Sequence, residues 1–256
     1  YFDSFIDSLQ KYNIKPIILG WGHKYTGHLM KDDLLEEYLI NNKQNDIILF
    51  CDAFDCLLIR DPKELENAFI NTGKNLIVST EKSDNEIYNY FKNLYFKNKT
   101  DENLNTGMII GYRNTFLDIL QEVKKFREKG INSNQRIWNI AFWSSKQITK
   151  LNVKLDFENY FFKNYNIFSN KIKFVNGKYY LPDKKTYPFL IQGNGNQTLN
   201  PICNKLKIKQ SKIKLKDKIK YIKSFYYYYI KPYQNLILII LILIIYLLYV
   251  MINYMD

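Results

Sequence analysis

The sequence predicts an α/β protein in which helices flank a mainly parallel sheet. Two observations carry this prediction. Short apolar runs rich in β-branched residues alternate with segments of helical periodicity, and Gly, Pro or Asp residues stand at the boundaries. Strands that alternate with helices build sheets joined by helical crossovers. The chain has 256 residues, enough for one domain of this class with additions.

The first quarter of the chain gives two helices and two strands. Residues 2–12 have the apolar spacing of an amphipathic helix, and residues 31–41 have a second helical pattern. Between them, the run "KPIILG" (15–20) predicts a buried strand that ends at a glycine. The run "DIILFC" (46–51) is continuously apolar after its first residue, which predicts a strand covered on both faces of a parallel sheet.

The next helix has well-defined ends. Asp61 is suited to the N-cap, Pro62 fits the first helical position, and Glu64 completes a capping-box pattern. Gly73 stands where a helix would stop. The run "NLIVST" (75–80) then predicts another strand.

The remaining elements of the domain follow the same alternation. The run "GMIIGY" (107–112) predicts a strand, and residues 115–129 and 134–143 predict helices. In open α/β sheets, ligands bind at the carboxyl ends of strands. We therefore look for a site where "DIILFC" ends.

Charge and cysteine content exclude several classes of protein. The net charge is +12, from 37 Lys and Arg against 25 Asp and Glu, but ten of the lysines lie between Lys205 and Lys231. The rest of the chain is close to neutral, which argues against a nucleic-acid partner. The three cysteines match no metal-binding spacing, and we expect reduced, buried thiols. They are Cys51, Cys56 and Cys203.

The C-terminal segment predicts a membrane anchor. Residues 236–252 are seventeen residues without a charge, about 26 Å long as a helix and just able to cross a hydrocarbon core of about 30 Å. A Lys- and Tyr-rich stem (204–235) precedes this span, and the domain itself would cover residues 1–203. Because the lysines precede the span, the positive-inside rule predicts that the domain faces the cytosol.

Asp52 and Asp55 follow the predicted strand "DIILFC". Two carboxylates three residues apart can lie on one side of a turn and hold a hard divalent cation, Mn²⁺ or Mg²⁺. Turn and cap chemistry explains the same two residues without a ligand. The residues alone leave both interpretations open.

Four stretches in order carry a family resemblance: "IILFCDAFDCLLIRDPKEL", "NLIVSTE", "LNTGMIIGYRNT" and "FLIQGNG". Together they resemble the glycosyltransferase domain of the procollagen lysyl hydroxylase/glycosyltransferase (PLOD-like) family, which is similar to collagen galactosyl- and glucosyltransferases. The resemblance covers roughly residues 1–200. It implies a GT-A-like (Rossmann-like) fold, a UDP-sugar donor, Mn²⁺ or Mg²⁺, and transfer to hydroxylysine or galactosyl-hydroxylysine of a collagen-like protein. It also implies a lumenal ER or Golgi location and a first strand upstream of Tyr1.

The resemblance assigns roles to single residues. Asp52 and Asp55 match the metal-binding aspartates, and Phe54 stands where the family has a tyrosine beside the uridine. Asn105 and Gly107 match the family's "LNSGG" segment near the donor sugar.

Further matches come with departures from the family pattern. Asn194 and Gly195 match the "HGNG" segment near the pyrophosphate, but Gln192 replaces the metal-ligating histidine. An amide oxygen is a weaker, uncharged ligand. Ser133 and Asn134 stand where the family has carboxylates, and neither can act as a base at neutral pH. Asn134, together with Asn105, is the residue we place at the catalytic position.

Three functions follow from these patterns. The first is a membrane-anchored, metal-dependent glycosyltransferase that uses a UDP-sugar. The second is a catalytically degenerate domain of the same fold that acts as a membrane-tethered binding module, as the departures at Gln192, Ser133 and Asn134 suggest. The third is a protein that binds a membrane surface or nucleic acid through the lysine-rich stem.

Overall fold

The computed structural model describes most of the first 210 residues. These are residues 2–44, 46–82, 86–96, 103–127, 131, 133–165, 172–193 and 198–210; beyond them only isolated positions are described. The chain divides into two units, Tyr1–Ile213 and Lys214–Asp256, and every element described below belongs to the first. The predicted span 236–252, apart from Ile245, and the predicted site residues Asn194 and Gly195 lie outside the described residues.

Seven α-helices and nine strands form the described part of the first unit. The helices are α1 (Phe2–Gln10), α2 (Met30–Asn41), α3 (Pro62–Asn71), α4 (Glu86–Phe96), α5 (Arg113–Lys125), α6 (Asn134–Ser144) and α7 (Asn200–Leu206). The strands are β1 (Ile47–Cys51), β2 (Cys56–Leu58), β3 (Leu76–Glu81), β4 (Asn103–Tyr112), β5 (Val153–Leu155), β6 (Phe162–Tyr165), β7 (Lys173–Val175), β8 (Lys178–Tyr180) and β9 (Leu190–Gly193). Within the described ranges, no helix is both long and apolar enough to cross a membrane.

The central sheet has four strands in the order β1-β4-β3-β5. β4 runs antiparallel to both β1 and β3, with Phe50 and Val78 both opposite Ile109, and only the β3–β5 pair is parallel. The fold is thus mixed α/β with helices around a sheet, as predicted, but the prediction of a mainly parallel sheet was wrong. Apolar residues on both faces of a strand indicate that the strand is buried, but they do not indicate its direction. An antiparallel central strand between two layers is buried in the same way.

Two apolar clusters cover the two faces of this sheet. Along β4, Ile109 packs into one cluster and Ile110 into the other, as the two-residue period of a strand requires. Helices α2, α5 and α6 supply the first cluster. The second contains side chains from α1, α3 and a smaller sheet of order β2-β9-β6. Each fully buried Leu, Ile or Phe side chain in these layers contributes about 1.5–3 kcal/mol.

Local signals predicted most element ends well. Asp61 caps α3 by accepting a hydrogen bond from the Lys63 N–H (2.8 Å), and Gly73 follows the helix with a positive φ of 62°. The Glu64 carboxylate, expected to complete a capping box, pairs instead with the Arg60 guanidinium (2.6 Å). β4 begins four residues before its predicted start, because an irregularity in β3 between Val78 and Thr80 lets the pairing continue to Asn103.

The strand predicted at "KPIILG" was wrong. Residues 14–18 form no strand, and the side chains of Ile17 and Ile18 are 61% and 43% exposed. An apolar run becomes a strand only when a neighbouring strand supplies its hydrogen bonds. None does so within the part of the chain that the structure describes.

Candidate functional site

The two predicted aspartates lie in the tight turn between β1 and β2. The Asp55 N–H donates to the Asp52 carbonyl (3.4 Å), and the Asp52 N–H donates to the carbonyl of Gly107 on β4 (2.8 Å). The N–H of Gly193 on β9 donates to the Asp55 carbonyl (2.7 Å). The backbone of the turn is therefore held by both sheets.

Gln192 on β9 faces Asp55 across the turn. Its Nε2 donates to both carboxylate oxygens of Asp55 at 3.2 Å. Its Oε1 is buried and has no hydrogen-bond partner among the described residues. A buried acceptor without a donor is costly unless a ligand or water satisfies it. Among the described residues beside this turn, the Gln192 oxygen is thus a buried acceptor that a ligand could satisfy.

Gly107 makes room for the Gln192 amide. A Cβ atom on Gly107 would lie less than 3.0 Å from three atoms of that amide, closer than real Cβ contacts occur. The glycine that the resemblance placed near the donor sugar is therefore needed here for packing. It brings the backbone of β4 against the Asp55–Gln192 pair.

Asp52 has a partner that sequence reasoning missed. Lys31, in the first turn of α2, places its Nζ 3.0 and 3.1 Å from the two carboxylate oxygens of Asp52. The two side chains are 24% and 32% exposed. Asp52 and Asp55 thus have different partners: an ammonium for the first and a neutral amide for the second.

The electrostatics of the turn follow from burial and from the proximity of the two aspartates. Burial, followed by repulsion from Asp52, raises the pKa of Asp55 well above its usual range, while Gln192 and Lys31 act in the opposite direction. Burial likewise raises the pKa values of Cys51 and Cys56, so both remain neutral thiols. Both are free cysteines, as predicted.

The donor set around the turn fits a hard cation. No group of three His, Cys, Asp or Glu side chains that could hold a metal ion is present in the described ranges. The oxygen ligands available at the turn are the carboxylates of Asp52 and Asp55 and, beside them, the amide oxygen of Gln192. Carboxylate and amide oxygens suit Mg²⁺ and Mn²⁺.

Asn105 is fixed by a buried polar cluster behind the turn. Its Oδ1 accepts a hydrogen bond from the Gly107 N–H (2.7 Å), and its Nδ2 donates to Glu81 Oε2 (3.1 Å). Glu81 also accepts from Gln135 Nε2 (2.8 Å) and pairs with the buried Lys92 ammonium. Both ends of the Asn105 amide are committed, so the residue positions Gly107. Glu81 was missed as a site residue; it ends β3, one residue beyond the predicted strand "NLIVST".

Asn134 belongs to a second buried cluster. Its Nδ2 donates to Asp32 Oδ1 and to Thr106 Oγ1, both at 3.2 Å, and Trp138 Nε1 donates to Asp32 Oδ2 at 3.1 Å. Ser133 caps α6 by accepting from the Arg136 N–H (3.3 Å). The pKa of Asp32 is raised to about 6, chiefly by burial.

Aromatic rings stand exposed beside the aspartate turn. Phe54, between the two aspartates, is 70% exposed, and its ring centroid lies 5.7 Å from that of Phe2. Phe2 in turn stacks on Trp21, whose side chain is also exposed. The predicted residues Asp52, Asp55, Gln192 and Gly107 are thus in contact with one another, Asn105 adjoins them, and Phe54 offers an open ring face.

Comparison with known proteins identifies the family. A family model described as "PLOD GT domain" matches residues 1–214. The chain belongs to this family. The resemblance inferred from the four sequence stretches is confirmed, and the chain is a glycosyltransferase-family domain.

Individual relatives of this PLOD GT domain are distant. A procollagen-lysine,2-oxoglutarate 5-dioxygenase of Drosophila melanogaster is 26% identical, over 76% of this chain and 29% of the relative. The multifunctional procollagen lysine hydroxylase and glycosyltransferase LH3 of Homo sapiens is 24% identical, over 75% of this chain and 27% of the relative. The chain therefore spans less than a third of the length of these two proteins.

One solved structure is also similar to the domain. The apo crystal structure of mouse xyloside xylosyltransferase 1 aligns with 76% of this chain and 71% of its own, with 12% identity and a TM-score of 0.42. A score at this level supports no conclusion about function.

Proposed function

We propose that the chain is a metal-dependent glycosyltransferase of GT-A-like fold that moves a sugar from a UDP-sugar to a hydroxyl acceptor. One observation carries the proposal: Asp52 and Asp55 lie in one turn against Gly107, and Gln192, which donates to Asp55, has a buried oxygen without a partner among the described residues. Membership of the family indicates glycosyl transfer as the reaction class, and the groups around the turn indicate where the metal and the donor would bind.

A divalent cation, Mn²⁺ or Mg²⁺, would be held by the carboxylates of Asp52 and Asp55 and by Gln192 Oε1. When bound, such a cation neutralises negative charge on the diphosphate leaving group. Asp52 and Asp55 lie on a turn whose backbone is tied to both sheets, and Gln192 lies on β9 beside it. A backbone held in this way limits the reorganisation needed when charge develops, which favours electrostatic catalysis.

The UDP-sugar donor and the hydroxyl acceptor would bind at the surfaces next to this turn. The exposed ring of Phe54 offers a stacking face for the uracil base, without the hydroxyl of the family's tyrosine. Asn105, held at both ends by Glu81 and Gly107, keeps the β4 backbone against the donor sugar. The acceptor is a hydroxyl group, and hydroxylysine or galactosyl-hydroxylysine of a collagen-like protein is the acceptor that the family implies.

Two further parts of the proposal concern residues beyond the turn. Asn194 and Gly195 would place backbone N–H groups near the diphosphate. The segment 236–252 would anchor the domain in a membrane. The positive-inside rule supports a cytosolic face for the domain, and the family resemblance supports a lumenal ER or Golgi location.

A second candidate function is a catalytically degenerate domain that binds a partner or ligand while tethered to the membrane. It is favoured by the Lys31 ammonium on Asp52 and by an amide, Gln192, at the position of the family's histidine. Such a domain would bind without turnover.

Donor hydrolysis with UDP-sugars and Mn²⁺, measured on the full chain, separates the two candidates. We expect Mn²⁺-dependent release of UDP from the wild type. Asp52→Ala and Asp55→Ala should each lose at least about 100-fold, because each removes a charged ligand. Asp118→Ala, an exposed change in α5, is the control and should keep full activity. UDP binding without turnover would favour the degenerate domain, and absence of both would reject the enzyme.

A further inference from the structure

Lys31 is the closest cation to the aspartate turn among the residues that the structure describes. It reaches the turn from α2, twenty-one positions away in the sequence, and its Nζ contacts both oxygens of one carboxylate. The ammonium also lies 6.0 Å from the centroid of the Phe50 ring. With about a quarter of its side chain exposed, Lys31 is held in a partly dry setting, where a charge contact is screened less than at the surface.

Lys31 neutralises one of the two carboxylate charges of the turn. The two aspartates can carry two negative charges, and the ammonium compensates one of them. Gln192 gives Asp55 only neutral N–H bonds. A net negative charge is left on the side of Asp55 and Gln192, while the side of Asp52 is already neutralised.

We propose that Lys31 is an internal competitor of the divalent cation and thereby sets the metal affinity of this site. This inference rests on the proposed function, since it assigns Asp52 as a ligand of Mn²⁺ or Mg²⁺. Both oxygens of Asp52 face the ammonium, and a divalent cation on the same carboxylate would lie within a few ångströms of a like charge. The metal binds Asp52 fully only when the ammonium has moved away.

The chemistry of lysine suits such an exchange. Its ammonium is compact and strongly hydrated, and it sits on a flexible four-carbon stem. It can leave a carboxylate for nearby water without unfolding anything. An arginine at the same position would hold the carboxylate with a planar, bidentate fork and would be harder to displace. The competition should therefore depend on which cationic residue is present.

The test measures binding of Mn²⁺ alone to the full chain by titration calorimetry, without donor or acceptor. Lys31→Met keeps the length of the stem and removes the charge; we expect it to bind Mn²⁺ at least about tenfold more tightly than the wild type. Lys31→Arg should bind as weakly as the wild type or more weakly. Lys43→Met is the matched control. It removes one positive charge from an exposed position two residues after α2 and should stay within about twofold of the wild type.

The outcomes separate this inference from the proposed function. If the wild type binds Mn²⁺ and Lys31→Met binds no more tightly, the competition is rejected and the metal site stands. If Lys31→Met binds no Mn²⁺ while its thermal unfolding is unchanged, both the competition and the metal-dependent part of the proposed function are rejected. A gain in Lys31→Met that Asp52→Ala abolishes in the double variant would support the inference.

Discussion

Asp156 and Asp52 both follow directly after a strand, β5 and β1, yet their carboxylates have different neighbours. Asp156 is fully buried, and its two oxygens accept hydrogen bonds from the backbone N–H groups of Tyr160 (3.0 Å), Phe161 (2.8 Å) and Phe162 (2.9 Å). These donors belong to the backbone and cannot leave without unfolding the segment. The carboxylate of Asp156 is used to fold the chain from β5 into β6.

The carboxylates of Asp52 and Asp55 have neighbours that can move. One faces a lysine ammonium and the other a glutamine amide, both at the ends of flexible side chains, and the oxygen of that amide is unpartnered among the described residues. The two carboxylates also repel each other. Asp156 is saturated by backbone donors, whereas Asp52 and Asp55 keep replaceable partners and a mutual repulsion that a cation would reduce, as the proposed function requires.

Removal of the saturated carboxylate should have the largest effect. Asp156→Ala leaves three buried N–H groups without acceptors, and we expect a loss of about 3–5 kcal/mol in the free energy of unfolding. Urea unfolding measures this loss. Asp183→Ala, an exposed change, should stay within about 0.5 kcal/mol of the wild type. A loss below about 1 kcal/mol in Asp156→Ala would show that the N–H groups find other acceptors.

The buried carboxylate of Asp32 accepts hydrogen bonds from two side chains, Asn134 and Trp138. Its pKa is about 6 in the folded chain against an ordinary 3.8, so the folded state favours the protonated form. The contribution to stability is present below about pH 4 and is lost as the pH rises through 6, by up to about 3 kcal/mol. Relative to the wild type, Asp32→Asn should therefore gain stability between pH 4 and pH 7 in urea unfolding. A difference that does not change with pH would contradict this pKa.

Two glycines of β4 provide the next comparison. A Cβ on Gly111 would meet Leu76 Cβ and Cγ at 2.8 Å and the Asn75 carbonyl at 2.9 Å, whereas the three atoms nearest to one on Gly107 all belong to the side-chain amide of Gln192. Gly111→Ala should therefore cost about 1–3 kcal/mol of stability and leave Mn²⁺ binding unchanged. Gly107→Ala should cost less stability, because the amide can swing away, but should weaken Mn²⁺ binding about tenfold. Equal metal affinities in the two variants would argue against Gln192 as a ligand.

Features that depend on neighbours in the sequence could be predicted from it. The cap at Asp61 and the start of α3 at Pro62 use contacts within a few residues, so the pattern contains the whole cause. Strand direction depends on partners far along the chain. β4 pairs with residues that precede their partners by more than twenty positions, and nothing in its own composition indicates that it runs antiparallel to those strands. The run at 15–20 shows the converse, since its composition suits a strand but no described neighbour pairs with it.

The same distinction explains which parts of the site were found. Asp52, Asp55 and Gln192 were predicted as site residues because quoted motifs carried them in a known order, and Gln192 does contact Asp55. Lys31 and Glu81 were missed because their roles come from partners more than twenty positions away, Asp52 for the first and Asn105 for the second. A single lysine in the first turn of a helix has no pattern that distinguishes it from a solvated surface charge.

Removal of a functional carboxylate should reverse the sign of the stability change seen for Asp156. Asp55→Asn removes the repulsion from Asp52 and keeps an oxygen that can accept from Gln192 Nε2, so at pH 8 we expect a gain of about 1 kcal/mol in the free energy of unfolding. The gain should shrink at pH 5, because the raised pKa of Asp55 means that its carboxyl is already protonated there. Asp61→Asn removes the same charge from a helix N-cap, where Asn and Asp are about equally favourable, and should change the free energy of unfolding by less than about 0.5 kcal/mol at both pH values.

Calorimetry on Asp55→Asn should also show lost Mn²⁺ binding. If the variant were instead less stable than the wild type at pH 8, the Asp52–Asp55 pair would belong with Asp156 as part of the scaffold, and the metal would have to be sought elsewhere.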